Sequence, residues 1–214
     1  MEKLVVNQGV KLTSVALPLL LVSQHYTRKG TWIFKPLASV GFLISALSHR
    51  SSSSSLYGTS VMTGLVCGAL GDVLLIPKAG FLAGLGSFLV GHVALVYAFT
   101  LHPMNIRHGA RALVATTVIA TLVGRWLFPH IHDKTMRRAV SIYMAIISCM
   151  VITASASVAN APLPQHQLAG ALMFYLSDLF VAREEFVSRS KWNQWIGLPL
   201  YYGAQLLLAG TLQH

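Results

Sequence analysis

Eight apolar stretches, joined by connections too short to fold by themselves, leave this chain few structures to adopt. They run over residues 12–23, 33–48, 58–77, 81–101, 110–128, 139–159, 168–182 and 195–212. A run of that kind crosses hydrocarbon as a helix, because lipid offers no partner to an exposed backbone N–H or C=O. The sequence therefore predicts an all-α polytopic membrane bundle of eight transmembrane helices, forming one transmembrane domain over residues 1–214. Composition agrees where it discriminates. Charged residues make up 10% of the chain, against about a quarter in soluble domains, and the mean hydropathy is +0.62. The first stretch is short and follows Lys3 and Lys11, as a signal-peptide core would, but no A-x-A-like cleavage site comes after it, so it counts as a span. Arg50–Ser55 reads as a flexible serine linker and Asn160–Pro164 as a proline-marked turn. Cys67 and Cys149 fall inside apolar runs, where they serve as small packing residues, and no disulfide is expected.

The basic excess is a statement about topology. Lys and Arg number 16 and Asp and Glu 6. No aromatic-and-basic cluster accompanies the excess, so a nucleic-acid partner is not expected. With eight spans both termini share a face. That face collects five basic residues, Lys3, Lys11, Arg50, Arg107 and Arg111, and the opposite face the other eleven. The positive-inside rule then makes the second face cytoplasmic and the termini non-cytoplasmic.

Direction gives the acids a depth. Asp72 and Asp178 each lie four or five residues before the cytoplasmic end of a span that runs the same way, which puts both carboxyls roughly 6 to 8 Å inside the interface at 1.5 Å per residue. An acid at such depth costs about 2.5 to 3.5 kcal/mol on insertion scales. Two at one level point to a functional site. Gly64, Gly68 and Asp72 are spaced i, i+4, i+8, and so are Gly170, Phe174 and Asp178, and Gly197, Tyr201 and Gln205. Three helices thus join a glycine-bearing face to a polar group on that face. Lys35, Tyr143 and Tyr202 arrive at a similar level, whereas His92 is reckoned to lie deeper, in the far half of the membrane.

Two carboxyls in a low-dielectric interior do not readily both ionise, so one keeps its proton. Such a pair supplies a general acid and a general base, which suits hydrolysis of an acid-labile bond by an activated water. Lys35 and Arg183, near the interface, are placed to hold a lipid phosphate. Other chemistries lack their motifs: there is no G-x-S-x-G elbow, no H-E-x-x-H and no Walker A sequence. Intramembrane aspartyl proteases carry G-x-G-D, but here Ala69, Leu70, Gly71 and Asp72 omit the first glycine. A metal held by Asp72, Asp178 and His92 is set aside because the histidine is reckoned too far away. His130, His132 and Asp133 read as a hydrated loop, so no metal and no cofactor are expected. Proton-coupled carriage of a lipid-like or amphiphilic solute is the rival reading, since buried acids also serve proton relays. A noncatalytic membrane partner is the third.

Several motifs recur in one order: Lys35-Pro36; Gly71-Asp72 followed by Val73-Leu74-Leu75; Gly91-His92 and then Tyr97; Tyr143; Gly170 to Phe174 leading to Ser177-Asp178 and Ala182; and Tyr201 to Leu207. In that order and spacing the chain resembles the YhhN family of eight-span membrane proteins, which includes the lysoplasmalogenases of animals and bacteria. The resemblance implies hydrolysis of the vinyl ether bond of lysoplasmalogens to a fatty aldehyde and glycerophosphoethanolamine or glycerophosphocholine. Asp72 and Asp178 would be the acid–base pair. Tyr143, Tyr201, Tyr202 and Gln205 would bind and orient substrate or water, Lys35 and Arg183 would meet the phosphate, and His92 would line the channel. The expected partners are the lysophospholipid substrate and membrane lipids. The expected site is the endoplasmic reticulum in a eukaryote or the inner membrane in a bacterium.

Overall fold

A helix forms over most of each apolar stretch and, in most cases, begins before it, because the residues ahead of the stretch join the hydrogen-bonded ladder. The computed structural model describes residues 2–26, 28–49, 55–161 and 163–213. Apart from Ser55, the serine linker lies outside the described residues, as does Pro162 of the proline-marked turn. The helices are α1 (Glu2–Tyr26), α2 (Arg28–His49), α3 (Leu56–Leu74), α4 (Phe81–Thr100), α5 (Ile106–Leu127), α6 (Lys134–Ser157), α7 (Pro164–Ala182) and α8 (Lys191–Gly210). Among the described residues there is no strand. Among the described residues, five segments are long and apolar enough to cross a membrane: Lys29–His49, Leu56–Leu74, Lys78–Thr100, Ile106–His130 and Lys134–Asn160. The protein is an all-helical integral membrane protein.

Local chemistry sets several helix starts. Ser55 accepts from Gly58 N, Asn105 from Arg107 N and His108 N, Asp133 from Met136 N, and Ser190 from Trp192 N, so each N-cap satisfies a backbone donor that the helix leaves unpaired. Asp133, read from the sequence as part of a hydrated histidine loop, therefore works as a helix cap. Its neighbour His130 bonds the Trp126 carbonyl through Nδ1.

Consecutive helices pair as hairpins, α1 with α2, α3 with α4, α5 with α6 and α7 with α8. The hairpins join through α2–α8, α2–α3, α4–α6 and α6–α7. Small residues set the closest approaches. At the α1–α2 contact an added Cβ on Gly9 would lie 2.6 Å from Ser45 N, and one on Gly91 of α4 would lie 3.1 Å from the Gly64 carbonyl of α3. The up-and-down order brings the ends of α1, α3, α5 and α7 together with the starts of α2, α4, α6 and α8. Two departures from simple helix ends at this side matter. Helix α3 stops at Leu74 and gives way to a 3₁₀ turn at Lys78–Gly80, while α7 does not stop at Ala182 but continues through a π-helical turn, Arg183–Val187.

Candidate active site

The eight helix ends enclose a cavity of about 450 Å³. Its walls come from one end of the bundle only: Gln24 of α1, Thr31 to Lys35 of α2, Asp72 to Pro77 around the end of α3, and corresponding turns of the other five helices. Leu85, Phe88, Leu127, Val140, Met144 and Ile147 supply apolar surface, whereas Lys35, Asp72, Asp178, Asn193 and Gln194 supply polar groups. Trp32 and Glu185 on its lining are exposed, and Asp72 is 2% exposed.

Asp72 is surrounded by donors. Ser39 Oγ lies 2.6 Å and Tyr201 OH 2.9 Å from Oδ2, and Tyr202 OH reaches the same oxygen at 3.5 Å while lying 3.2 Å from the Lys35 carbonyl. Lys35 Nζ stands 3.4 Å from Oδ1. A buried carboxylate so paired and hydrogen-bonded keeps in the protein the interactions it would lose with water. Behind it, Gln205 Nε2 donates to Tyr201 OH at 3.0 Å. A tyrosine hydroxyl has one proton, so accepting from Gln205 leaves that proton for Asp72. Gly68 makes the arrangement possible, since a Cβ there would collide with Gln205 Nε2 and come within 3.2 Å of Tyr201 OH.

Asp178, on α7, has a smaller set of partners. Tyr143 OH donates to Oδ2 at 2.6 Å, and His92 Nε2 lies 2.8 Å from that hydroxyl and 3.4 Å from the carboxylate oxygen. Ser177 Oγ is 3.4 Å from Oδ1 but bonds the Phe174 carbonyl at 2.7 Å. The two acids line the same cavity, yet among the described residues no hydrogen bond joins them. Aromatic rings connect their surroundings instead. Phe174 meets His92 at 4.5 Å and Tyr201 at 5.4 Å between ring centroids, and Phe88 meets Phe174 at 6.2 Å and Tyr201 at 5.8 Å.

The structure thus brings Lys35, Asp72, Tyr143, Asp178 and Tyr201 into the lining of one cavity. Tyr202, Gln205, His92 and Arg183 are absent from that lining. Tyr202 and Gln205 are buried behind Asp72 and Tyr201. Arg183 turns to the Asn193 side-chain oxygen, and Glu184 Oε2 accepts from Asn193 Nδ2 at 2.6 Å and from Ser190 N at 2.9 Å, which ties the end of α7 to the start of α8.

His92 requires a correction. Depth reckoning puts it far from Asp178, as a structural or channel-lining residue, but it is fully buried behind Tyr143 and within hydrogen-bonding distance of the acid's partner. The error comes from taking Ala182 as the end of α7. With the π turn included, Asp178 lies nine residues before Val187, about 13 Å at helical rise. His92 lies eleven residues after Phe81, about 16 Å. The two levels agree. Ser39, absent from the sequence reading, had a signal: it lies i+4 from Lys35 and so shares its helical face. Among the described residues no three His, Cys, Asp or Glu side chains gather as a metal site.

The sequence pattern that defines the YhhN family matches residues 30–212. A protein of Homo sapiens named lysoplasmalogenase TMEM86A is 31% identical over 185 residues, covering 83% of this chain and 71% of its own. Its Bos taurus counterpart is 30% identical with the same coverage. A lysoplasmalogenase of Mycobacterium bovis is 28% identical over 213 residues, covering 94% of this chain and 77% of its own. No solved structure matches.

Proposed function

The chain belongs to the YhhN family, and on that premise we propose that it is a lysoplasmalogenase, hydrolysing the vinyl ether bond of lysoplasmalogens with Asp72 and Asp178. One observation carries the proposal: both acids line a single cavity whose lining combines apolar side chains with polar groups. The apolar side chains suit an alkenyl chain and the polar groups the glycerophospho headgroup. The names of the animal and mycobacterial relatives support the same bond.

The chemistry follows from the bond. A carboxylic acid donates its proton to the β-carbon of the alkenyl group, and the π pair forms the new C–H bond. The oxocarbenium ion left behind is stabilised by the neighbouring carboxylate. Water adds to the cationic carbon and gives a proton to the emptied carboxylate. The hemiacetal hydroxyl proton then passes to the glycerol oxygen as the C–O bond breaks, releasing a fatty aldehyde and the glycerophospho headgroup. One water is consumed and the acid regains its proton. Tyr143 and Tyr201 hold the reacting groups in place, and Lys35 sits where it meets both Asp72 and an entering phosphate.

All eight helices cross the membrane in this reading, with the cavity end at the cytoplasmic face and the termini opposite. Lys78, Arg125, Lys134, Arg189 and Lys191 at the cavity end support that orientation. The membrane is the endoplasmic reticulum in a eukaryote or the inner membrane in a bacterium.

Purified protein in detergent, given lysoplasmenylethanolamine, is expected to release aldehyde and to leave the acyl-ester analogue intact. No aldehyde, together with acid-dependent solute uptake by proteoliposomes, would replace the hydrolase with a carrier.

A further inference from the structure

Each aspartate is reached through a chain of the same three parts: a side-chain nitrogen, a tyrosine hydroxyl and a carboxylate Oδ2. On one side Gln205 Nε2 donates to Tyr201 at 3.0 Å and Tyr201 to Asp72 at 2.9 Å. On the other, His92 Nε2 meets Tyr143 at 2.8 Å and Tyr143 donates to Asp178 at 2.6 Å. The first part differs in kind. An amide nitrogen only donates, whereas an imidazole nitrogen donates in one tautomer and accepts in the other. The tautomer is set by the bond that the second ring nitrogen makes. Among the described residues His92 Nδ1 makes none. Nothing there commits Nε2 to either role.

The remaining neighbours differ in the same sense. Asp72 also receives Ser39 and faces the Lys35 cation. Across the cavity, Asp178 has Tyr143 from α6 and His92 from α4, with Tyr201 of α8 beyond Phe174 and Glu184 and Glu185 toward the mouth. It has no cation of its own among the described residues except a protonated His92.

We infer that His92 is a positioning residue that allows Asp178 to give up and regain a proton, and that Asp72 remains a carboxylate through the cycle. The inference rests on the hydrolase reading above. When Asp178 is protonated, its O–H donates to Tyr143, whose own hydrogen turns to a bare Nε2 of His92. When the proton has gone to the β-carbon, the Tyr143 hydrogen turns back to the Asp178 carboxylate. The proton is restored by the attacking water. Tyr143 has an acceptor in both states. Tyr201, facing the Gln205 N–H, has only Asp72. Asp178 is accordingly the proton donor, and Asp72 the group that stabilises the cation.

His92→Gln tests this, because it gives Tyr143 the kind of amide neighbour that Tyr201 already has. The expected result is an unchanged KM, a kcat lower by about tenfold to a hundredfold, short of the loss on removing the acid itself, and a shifted acid limb of the pH–rate profile. A second measurement needs no substrate. In infrared spectra taken against pH, the carboxyl C=O band that titrates is expected to vanish in Asp178→Asn and persist in Asp72→Asn. Its midpoint is expected to move in His92→Gln and in Tyr143→Phe. A titrating band that belongs to Asp72, or a midpoint unchanged in both His92→Gln and Tyr143→Phe, overturns the role of His92. Absence of aldehyde from the unmodified protein overturns the hydrolase reading separately, whatever the infrared band does.

Discussion

The two ends of the polar array, one around Asp72 and one around Asp178, are built from similar parts to different tolerances. Around Asp72, helices α2, α3 and α8 meet closely enough that Gly68 has no room for a methyl group, and four groups converge on one carboxyl. Around Asp178, α4, α6 and α7 supply one short hydrogen bond and a histidine. On the proposed reading, the acid closed in by donors is a fixed charge and the one with fewer partners exchanges its proton, so that two unequal acids share one reaction.

The comparison is broken or sharpened by substitutions of decreasing effect. Asp178→Asn removes the proposed donor and is expected to lower aldehyde release by about 10² to 10⁴, the range of general acid catalysis, with the unfolding temperature nearly unchanged. Asp72→Asn is expected to cost stability as well as activity. It strands the Lys35 ammonium in the interior, and loss of one partner of a buried pair costs about 3 to 5 kcal/mol. Thermal unfolding in detergent measures it. The double variant Asp72→Asn/Lys35→Met should recover much of that stability and none of the turnover. If Asp72→Asn is as stable as the parent, the fixed-charge description fails.

Gly68→Ala leaves every charge in place and pushes a methyl group against Gln205 and Tyr201. Overpacking of this kind costs about 1 to 3 kcal/mol, and turnover should fall with it. On α7, at Gly170, eight residues before Asp178, an added methyl group would meet Leu208 and the Ala204 carbonyl rather than a site hydroxyl, so Gly170→Ala should lose stability with a smaller change in turnover per folded molecule. Ser39→Ala is the mildest. Asp72 keeps Tyr201 and Lys35, and the loss should stay near 1 kcal/mol, the usual worth of one hydrogen bond.

The helices were legible because hydropathy and chain connectivity agree: most of every apolar stretch lies on a single helix, including the short first one, which occupies part of the longer Glu2–Tyr26 segment. Asp72, Asp178 and Tyr201 were legible through helical spacing, which places Asp72 below Gly64 and Gly68 and Tyr201 one turn before Gln205, and Lys35 and Tyr143 through their level in their spans. What spacing could not supply was the height of one helix against another. Taking the last apolar residue as the helix end failed at α7, where the ladder continues through charged Arg183, Glu184 and Glu185, and His92 was misplaced in consequence. Inward or outward aim was equally hidden. Lys35 and Arg183 look alike in sequence as interfacial cations, but one turns to a buried acid and the other to Asn193.

The cavity is walled from one end of the bundle, and for a hydrolase this makes traffic a single-lane matter. In the proposed reaction, the water that captures the cation and the headgroup released by its attack would share this one cavity, whose lining includes the exposed Trp32 and Glu185. The aldehyde would partition into hydrocarbon and the headgroup into solvent, so the products would part company by phase.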